Sequence, residues 1–178
     1  MVITFLSDFG LQDDFVGTCH GVMKRIAPEA EIIDITHGIP PQQVLQGALV
    51  LRNTLPYMPP GVHLAVVDPG VGSHRRPLAL GTGEGRLLVG PDNGLLPPAA
   101  DACGGVDEAH ELANPVYALD TVSRTFHGRD LFSPAAAHLA LGVPLADVES
   151  RALAWASLNG ARIVLEGFAW VLALGGID

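Results

Sequence analysis

The chain has 178 residues, 48% of them hydrophobic and 16% charged, with 10 Lys and Arg against 19 Asp and Glu for a formal charge of −9. That length suits one domain with a full core and the beginning of a second, while the acidic balance argues against a nucleic-acid surface and favours a neutral or cationic small ligand. No stretch reaches the roughly 18 apolar residues of a membrane span, Asp8 interrupts the only early apolar run, and Cys19 and Cys103 lack metal spacing, so a cytoplasmic chain with buried, reduced thiols is expected.

Val2-Ile3-Thr4-Phe5-Leu6 is β-branched and apolar, predicts the first buried strand, and ends in Ser7-Asp8-Phe9-Gly10. Asp13 and Asp14 precede Phe15, Val16, Cys19, Val22, Met23 and Ile26, whose spacing is that of one helical face; Pro28 stops the helix. Glu31-Ile32-Ile33-Asp34-Ile35 is the second strand, and Thr36-His37-Gly38-Ile39-Pro40-Pro41 turns the chain into a helix carrying Val44, Ala48, Leu51 and Leu55. Val62-His63-Leu64-Ala65-Val66-Val67 then reads as a strand buried on both faces. This β-α-β-α-β order predicts an α/β fold: a mainly parallel central sheet covered by helices in three layers, with right-handed crossovers.

Pro77-Leu78-Ala79-Leu80 and Arg86-Leu87-Leu88-Val89 flank the turn-like Gly81-Thr82-Gly83-Glu84-Gly85 and predict a hairpin. Gly90-Pro91-Asp92-Asn93-Gly94 is a turn, read as structural. Residues 95–103 suggest a short helix, and 106–119 short β-like pieces split at Asn114-Pro115. A last helix is expected over about Leu131 to Leu141, with Pro134 tolerated in its first turn.

The chemistry concentrates at Asp68-Pro69-Gly70-Val71-Gly72-Ser73-His74-Arg75-Arg76. A carboxylate at a carboxyl strand end lies where open α/β sheets bind ligands, and two glycines allow close backbone approach. Asp-Pro-Gly alone is more often only a turn. The loop has neither the third glycine of a dinucleotide fingerprint nor the Gly-Lys-Ser/Thr of a phosphate loop. Ser123-Arg124-Thr125-Phe126-His127-Gly128-Arg129-Asp130 is the second dense stretch, placing His127 at the mouth of the last helix. His20, His37, His63, His74, His110 and His138 lie mostly in helices, turns or strand interiors and are weaker candidates. Asp8, Asp68 and His127 could be imagined around a metal, but no paired histidine spacing supports one, and no metal is expected.

Together Ser7-Asp8-Phe9-Gly10, the 66–76 stretch, Pro91-Asp92-Asn93-Gly94 and Thr125-Phe126-His127-Gly128-Arg129-Asp130 resemble, in order, the S-adenosyl-L-methionine hydroxide adenosyltransferase family, the adenosine-forming hydrolases related to S-adenosylmethionine-dependent chlorinases and fluorinases. The resemblance runs from residue 2 to about residue 145 and implies hydrolysis of S-adenosylmethionine to adenosine and L-methionine, without a cofactor, in a homotrimer. It implies catalytic roles for Asp68, Arg75 and His127, which would hold and activate a water. Asp8 matches the acid that binds both ribose hydroxyls, and Asp13 an acid near the methionine portion. Gln42 stands at a fluorinase tryptophan, while His127-Gly128, with Phe126 beside it, stands where halogenases carry the Tyr-Ser of their halide pocket. Asp68 replaces another halogenase tyrosine, so these departures favour water as nucleophile, and whether Asp68 or His127 takes its proton stays open.

The family implies division into an N-terminal domain, residues 1–150, and a C-terminal β-barrel domain of which 151–178 would be a linker or truncated start. The apolar run Ile163 to Leu174 reads equally as its first strand or as a last element of the same domain. The rival reading is a truncated, catalytically inactive chain that binds nucleoside weakly or only assembles; a halogenase ranks third.

Overall fold

A computed structural model describes residues 1–149, so every expectation for 151–178 lies outside the described residues. Six strands form one sheet in the order β2-β1-β3-β5-β4-β6. They are β1 (Val2–Ser7), β2 (Glu31–Thr36), β3 (Gly61–Val66), β4 (Pro77–Thr82), β5 (Leu87–Pro91) and β6 (Val106–Glu111). β1 pairs in parallel with β2 and β3, and β3 with β5; only β4 runs antiparallel, to β5 and β6. The sheet is therefore mixed with its parallel part at the site, as the alternation of strands and helices requires.

Successive residues of the central strands feed two separate cores. Ile3, Phe5, Val62, Leu64 and Val66 pack with Val16, Cys19 and Met23 of α1 (Phe15–Ile26) and with Ala136, Ala137 and Leu139 of α4 (Ser133–Ala140). Leu6, Ala65 and Val67 pack on the other face with Ala48 and Leu51 of α2 (Val44–Thr54) and with Ala99 and Ala100 of α3 (Pro97–Asp101). Period-two alternation with apolar residues on both sides makes β3 buried throughout, and the three α/β/α layers follow.

One polar pair lies inside the second layer. Thr4 and His63 are register partners, both 0% exposed, with Thr4 Oγ1 2.9 Å from His63 Nδ1. Burial, helped by the Arg86 charge, pushes the His63 imidazole down to about 4 from 6.5. The unfolded chain thus binds a proton that the folded chain refuses between those values. Stability held above pH 6.5 is lost as pH falls toward 4, by up to about 1.4 kcal/mol per pH unit. Urea unfolding at a series of acid pH values should show this slope, and His63→Gln should flatten it.

Two element boundaries depart from expectation. The last helix begins as a wide π-type turn, Gly128–Phe132, in which the Ser133 N–H donates to the Gly128 carbonyl. Pro134 has no N–H to offer the Asp130 carbonyl, which instead accepts from Leu119 N–H at 2.9 Å. The stretch from 106 to 119 supplies only one strand, β6; after Asn114, which caps a 3-10 turn at Pro115–Tyr117, the chain leaves the sheet.

Candidate active site

Both acidic strand ends leave the same edge. Ser7 is paired with Val66 across β1 and β3, and Asp8 N–H donates to the Val66 carbonyl at 3.4 Å. The chain passes from β1 to β2 on one side and returns across β1 to β3 on the other. That reversal makes the β1/β3 crevice the switch point at which open α/β sheets bind ligands.

Beyond β3 the backbone coils tightly. Val71 N–H donates to the Asp68 carbonyl at 3.2 Å and Ser73 N–H to the Gly70 carbonyl at 3.0 Å, which returns Arg75 over Asp68. Arg75 Nε lies 3.0 Å from each Asp68 carboxylate oxygen, and Nη2 lies 2.5 Å from Oδ2. The same Nη2 reaches His127 Nδ1 at 2.7 Å. Asp68 and Arg75 side chains are only 6% and 8% exposed, so this ion pair works in a low-dielectric setting. A guanidinium can only donate, so His127 Nδ1 accepts and the imidazole proton of the neutral form belongs on Nε2.

Burial and the Arg75 charge lower the His127 pKa below its ordinary 6.5, more than Asp68 and Asp130 raise it. His127 is therefore neutral at neutral pH, as its contact with Arg75 demands.

The supports were harder to read from sequence. The Phe132 ring lies beneath the Arg75 guanidinium, 5.2 Å from centroid to Cζ, and is fully buried. Asp130, also 0% exposed, accepts from Ser123 N–H at 2.8 Å and from Arg129 Nε at 2.5 Å, fixing the loop before His127. Burial alone would raise the Asp130 carboxyl, but these bonds outweigh it and hold it below the usual carboxylate value. The 90–94 turn does more than reverse the chain: Asn93 Nδ2 donates to the Val67 carbonyl at 2.8 Å, and Asp92 Oδ2 accepts from Arg76 Nη2 at 2.6 Å, bracing both ends of the Asp68 loop.

The remaining expected residues divide into two groups. Phe126 and Gly128 adjoin His127. Phe126 packs edge-on against Phe9 and Phe15 at 5.7 and 4.7 Å, and a Cβ on Gly128 would come within 2.8 Å of Phe9 Cζ. Asp8 Oδ2 accepts from the Gln42 N–H at 2.8 Å, and Gln42 holds φ at 67°, so its backbone rather than its exposed side chain meets the acid. Asp13 is exposed at the start of α1, where Oδ1 accepts from Phe15 N–H at 3.2 Å. The structure thus joins Asp68, Arg75 and His127 directly, places Phe126 and Gly128 beside them and Asp8 on the adjacent strand end, and leaves Asp13 on the outer loop.

Fold and site together define a three-layer α/β domain whose polar centre lies at the sheet's switch point. Residues 3–149 match the family described as the SAM hydroxide adenosyltransferase N-terminal domain, and the chain belongs to that family. It is 61% identical over 145 residues to an (R)-S-adenosyl-L-methionine hydrolase of Salinispora arenicola, covering 82% of this chain and 55% of that protein. A Thermus thermophilus protein of the same name is 45% identical over 152 residues, covering 80% and 58%. A Nocardia brasiliensis fluorinase is 31% identical over 173 residues, covering 84% and 57%. Among solved structures, an uncharacterized conserved protein from Thermotoga maritima superposes with a TM-score of 0.79 at 45% identity, covering 83% of this chain and 57% of that one. The chain spans about half the length of the relatives it matches.

Proposed function

We propose that this chain carries the catalytic centre of an S-adenosyl-L-methionine hydrolase that forms adenosine and L-methionine. The observation that carries the reading is Arg75 Nη2 shared between Asp68 Oδ2 and His127 Nδ1, beside Asp8 on the neighbouring strand end. In S-adenosylmethionine the group leaving the ribose C5′ is a neutral thioether expelled from a sulfonium, so only the nucleophile needs help. Asp68 accepts a proton from water, Arg75 stabilises the developing hydroxide, and His127, a donor through Nε2, orients the water. Base assistance of this kind is worth about 10²–10⁴-fold. The water oxygen bonds to C5′, the C5′–S pair leaves with methionine sulfur, and the spare proton ends on Asp68 before passing to solvent.

Asp8 would accept from the ribose hydroxyls, because Oδ1 has no hydrogen-bond partner among the described residues while Gln42 holds Oδ2. No cofactor enters this scheme. Asp13 near the methionine portion, a homotrimer in which a neighbouring subunit completes the site, and a cytoplasmic location belong to the same reading. Water rather than halide as nucleophile is supported by Asp68 and His127-Gly128, and by 61% identity to a named hydrolase against 31% to a fluorinase.

Protonating His127 would set a second cation against Arg75. Because its pKa lies below 6.5, kcat/KM should hold down to that pH and fall only under it. A pH profile from about 5 to 8 checks this; an acid limb above 6.5 would show that another group sets it. The reading itself is tested by incubating the chain with S-adenosylmethionine and measuring adenosine and methionine.

A further inference from the structure

We propose that His20, Asp34 and His37 form a binding site for a divalent transition-metal ion of the Zn²⁺ type, independent of the hydrolase reading. His20 lies on α1, Asp34 in the edge strand β2, and His37 just beyond that strand's end. His37 follows Asp34 by three residues, and the packing of α1 on the sheet adds His20, so that one ligand atom from each lies within 4.8 Å of the others. His20 Nε2 is 2.9 Å and His37 Nε2 3.1 Å from the same oxygen, Asp34 Oδ1.

His37 points to a missing ligand. It is 5% exposed, its Nδ1 lies 2.7 Å from Ser7 Oγ, and its buried Nε2 has no properly aligned hydrogen-bond partner despite the nearby carboxylate. Buried polar atoms are rarely left so. If Nδ1–H donates to Ser7 Oγ, the Nε2 lone pair faces His20 and Asp34, which is how a supporting hydrogen bond normally orients a metal-binding imidazole. Tetrahedral Zn²⁺ with bonds of about 2.0–2.1 Å separates its ligand atoms by about 3.3 Å. The two distances to Asp34 need open by only a few tenths of an ångström, and the two imidazole nitrogens, within 4.8 Å of each other, are drawn onto the same ion.

The surroundings fit as well. Phe5 packs against both rings, 4.7 Å from His37 and 6.0 Å from His20 between centroids, giving the site an apolar wall. Asp34, 40% exposed at its side chain, leaves access from solvent and room for a water as fourth ligand. Two imidazoles and one carboxylate favour Zn²⁺, Co²⁺ or Ni²⁺ over Mg²⁺ or Ca²⁺. By contrast His110 meets Glu108 and Glu149 through opposite ring nitrogens, so those groups cannot converge on one ion. The site is also coupled to the switch point, since Ser7 precedes Asp8 and the His37 carbonyl accepts from Gly10 N–H at 2.8 Å.

The test uses the 178-residue chain freed of metal with a chelator and titrated calorimetrically with Zn²⁺, with Mg²⁺ as comparison, and by visible absorption with Co²⁺. One equivalent of Zn²⁺ should bind, Mg²⁺ should not, and Co²⁺ should give d–d bands that Zn²⁺ abolishes. His20→Ala, on a partly exposed side chain that leaves the core intact, and Ser7→Ala should each weaken Zn²⁺ by at least about 10-fold. His110→Ala should change nothing. Absence of saturable binding near one equivalent, or unchanged affinity in both His20→Ala and Asp34→Asn, would overturn the proposal.

Discussion

Asp68→Asn should lower the rate of adenosine formation by about 10²–10⁴-fold while leaving the fold intact. The amide keeps the size of the carboxyl and its carbonyl can still accept from Arg75, so far-UV circular dichroism should be unchanged. What it loses is the negative charge that balances Arg75 and the lone pair that accepts a proton from water. If Asp68 served only the turn that Asp-Pro-Gly suggests, the rate would survive, because the turn bond is made by its backbone carbonyl to Val71 N–H. A rate within a few-fold of the parent chain, measured under saturating S-adenosylmethionine, would move the proton-accepting role to His127.

Gly72→Ala should be costly in both stability and rate. Gly72 holds φ at +75°, and a Cβ there would overlap the Arg124 backbone carbonyl. Left-handed strain and the forced displacement together cost about 2–4 kcal/mol, readable as a lower urea midpoint. Gly72 stands three residues before Arg75, and Arg124 three before His127, so the same displacement parts the two loops that the 2.7 Å Arg75–His127 contact joins. Misplacing a catalytic group by about 1 Å can cost about 10²-fold. Gly85→Ala is the control: its φ is +74°, but nothing lies within 4 Å of the added methyl, so it should show only the backbone strain and no loss of rate.

The strands and the two acids at their ends were legible because each depends on a local pattern. Val62 to Val67 is apolar but for His63, and its length alone sets Asp68 at the edge of the sheet. Asp8 follows in the same way from β1, and their alignment needed only parallel pairing. The grouping of Asp68, Arg75 and His127 is not local, since Arg75 and His127 are 52 positions apart; only the resemblance of several motifs in order linked them before the fold was known. Asn93, bonded to the Val67 carbonyl, read as an ordinary turn residue, and Phe132 beneath Arg75 carried no signal of its own, because their roles arise from packing between distant segments. The π-type turn at Gly128 escaped for a similar reason: the Leu119 N–H that occupies the Asp130 carbonyl comes from another loop. His20 and His37 were set aside as lying in a helix and a turn; Asp34 and His37 are three residues apart, but only the packing of α1 on the sheet brings His20 to them.

The most direct measurement is mass-spectrometric quantification of adenosine, methionine and 5′-chloro-5′-deoxyadenosine after the chain is incubated with S-adenosylmethionine, with and without chloride, beside Asp68→Ala. Adenosine and methionine in equal amounts, independent of chloride and lost in Asp68→Ala, are expected. A folded chain that forms neither, or one that forms the chlorinated nucleoside when chloride is added, would contradict the assignment of Asp68, Arg75 and His127 as the water-activating centre of this chain.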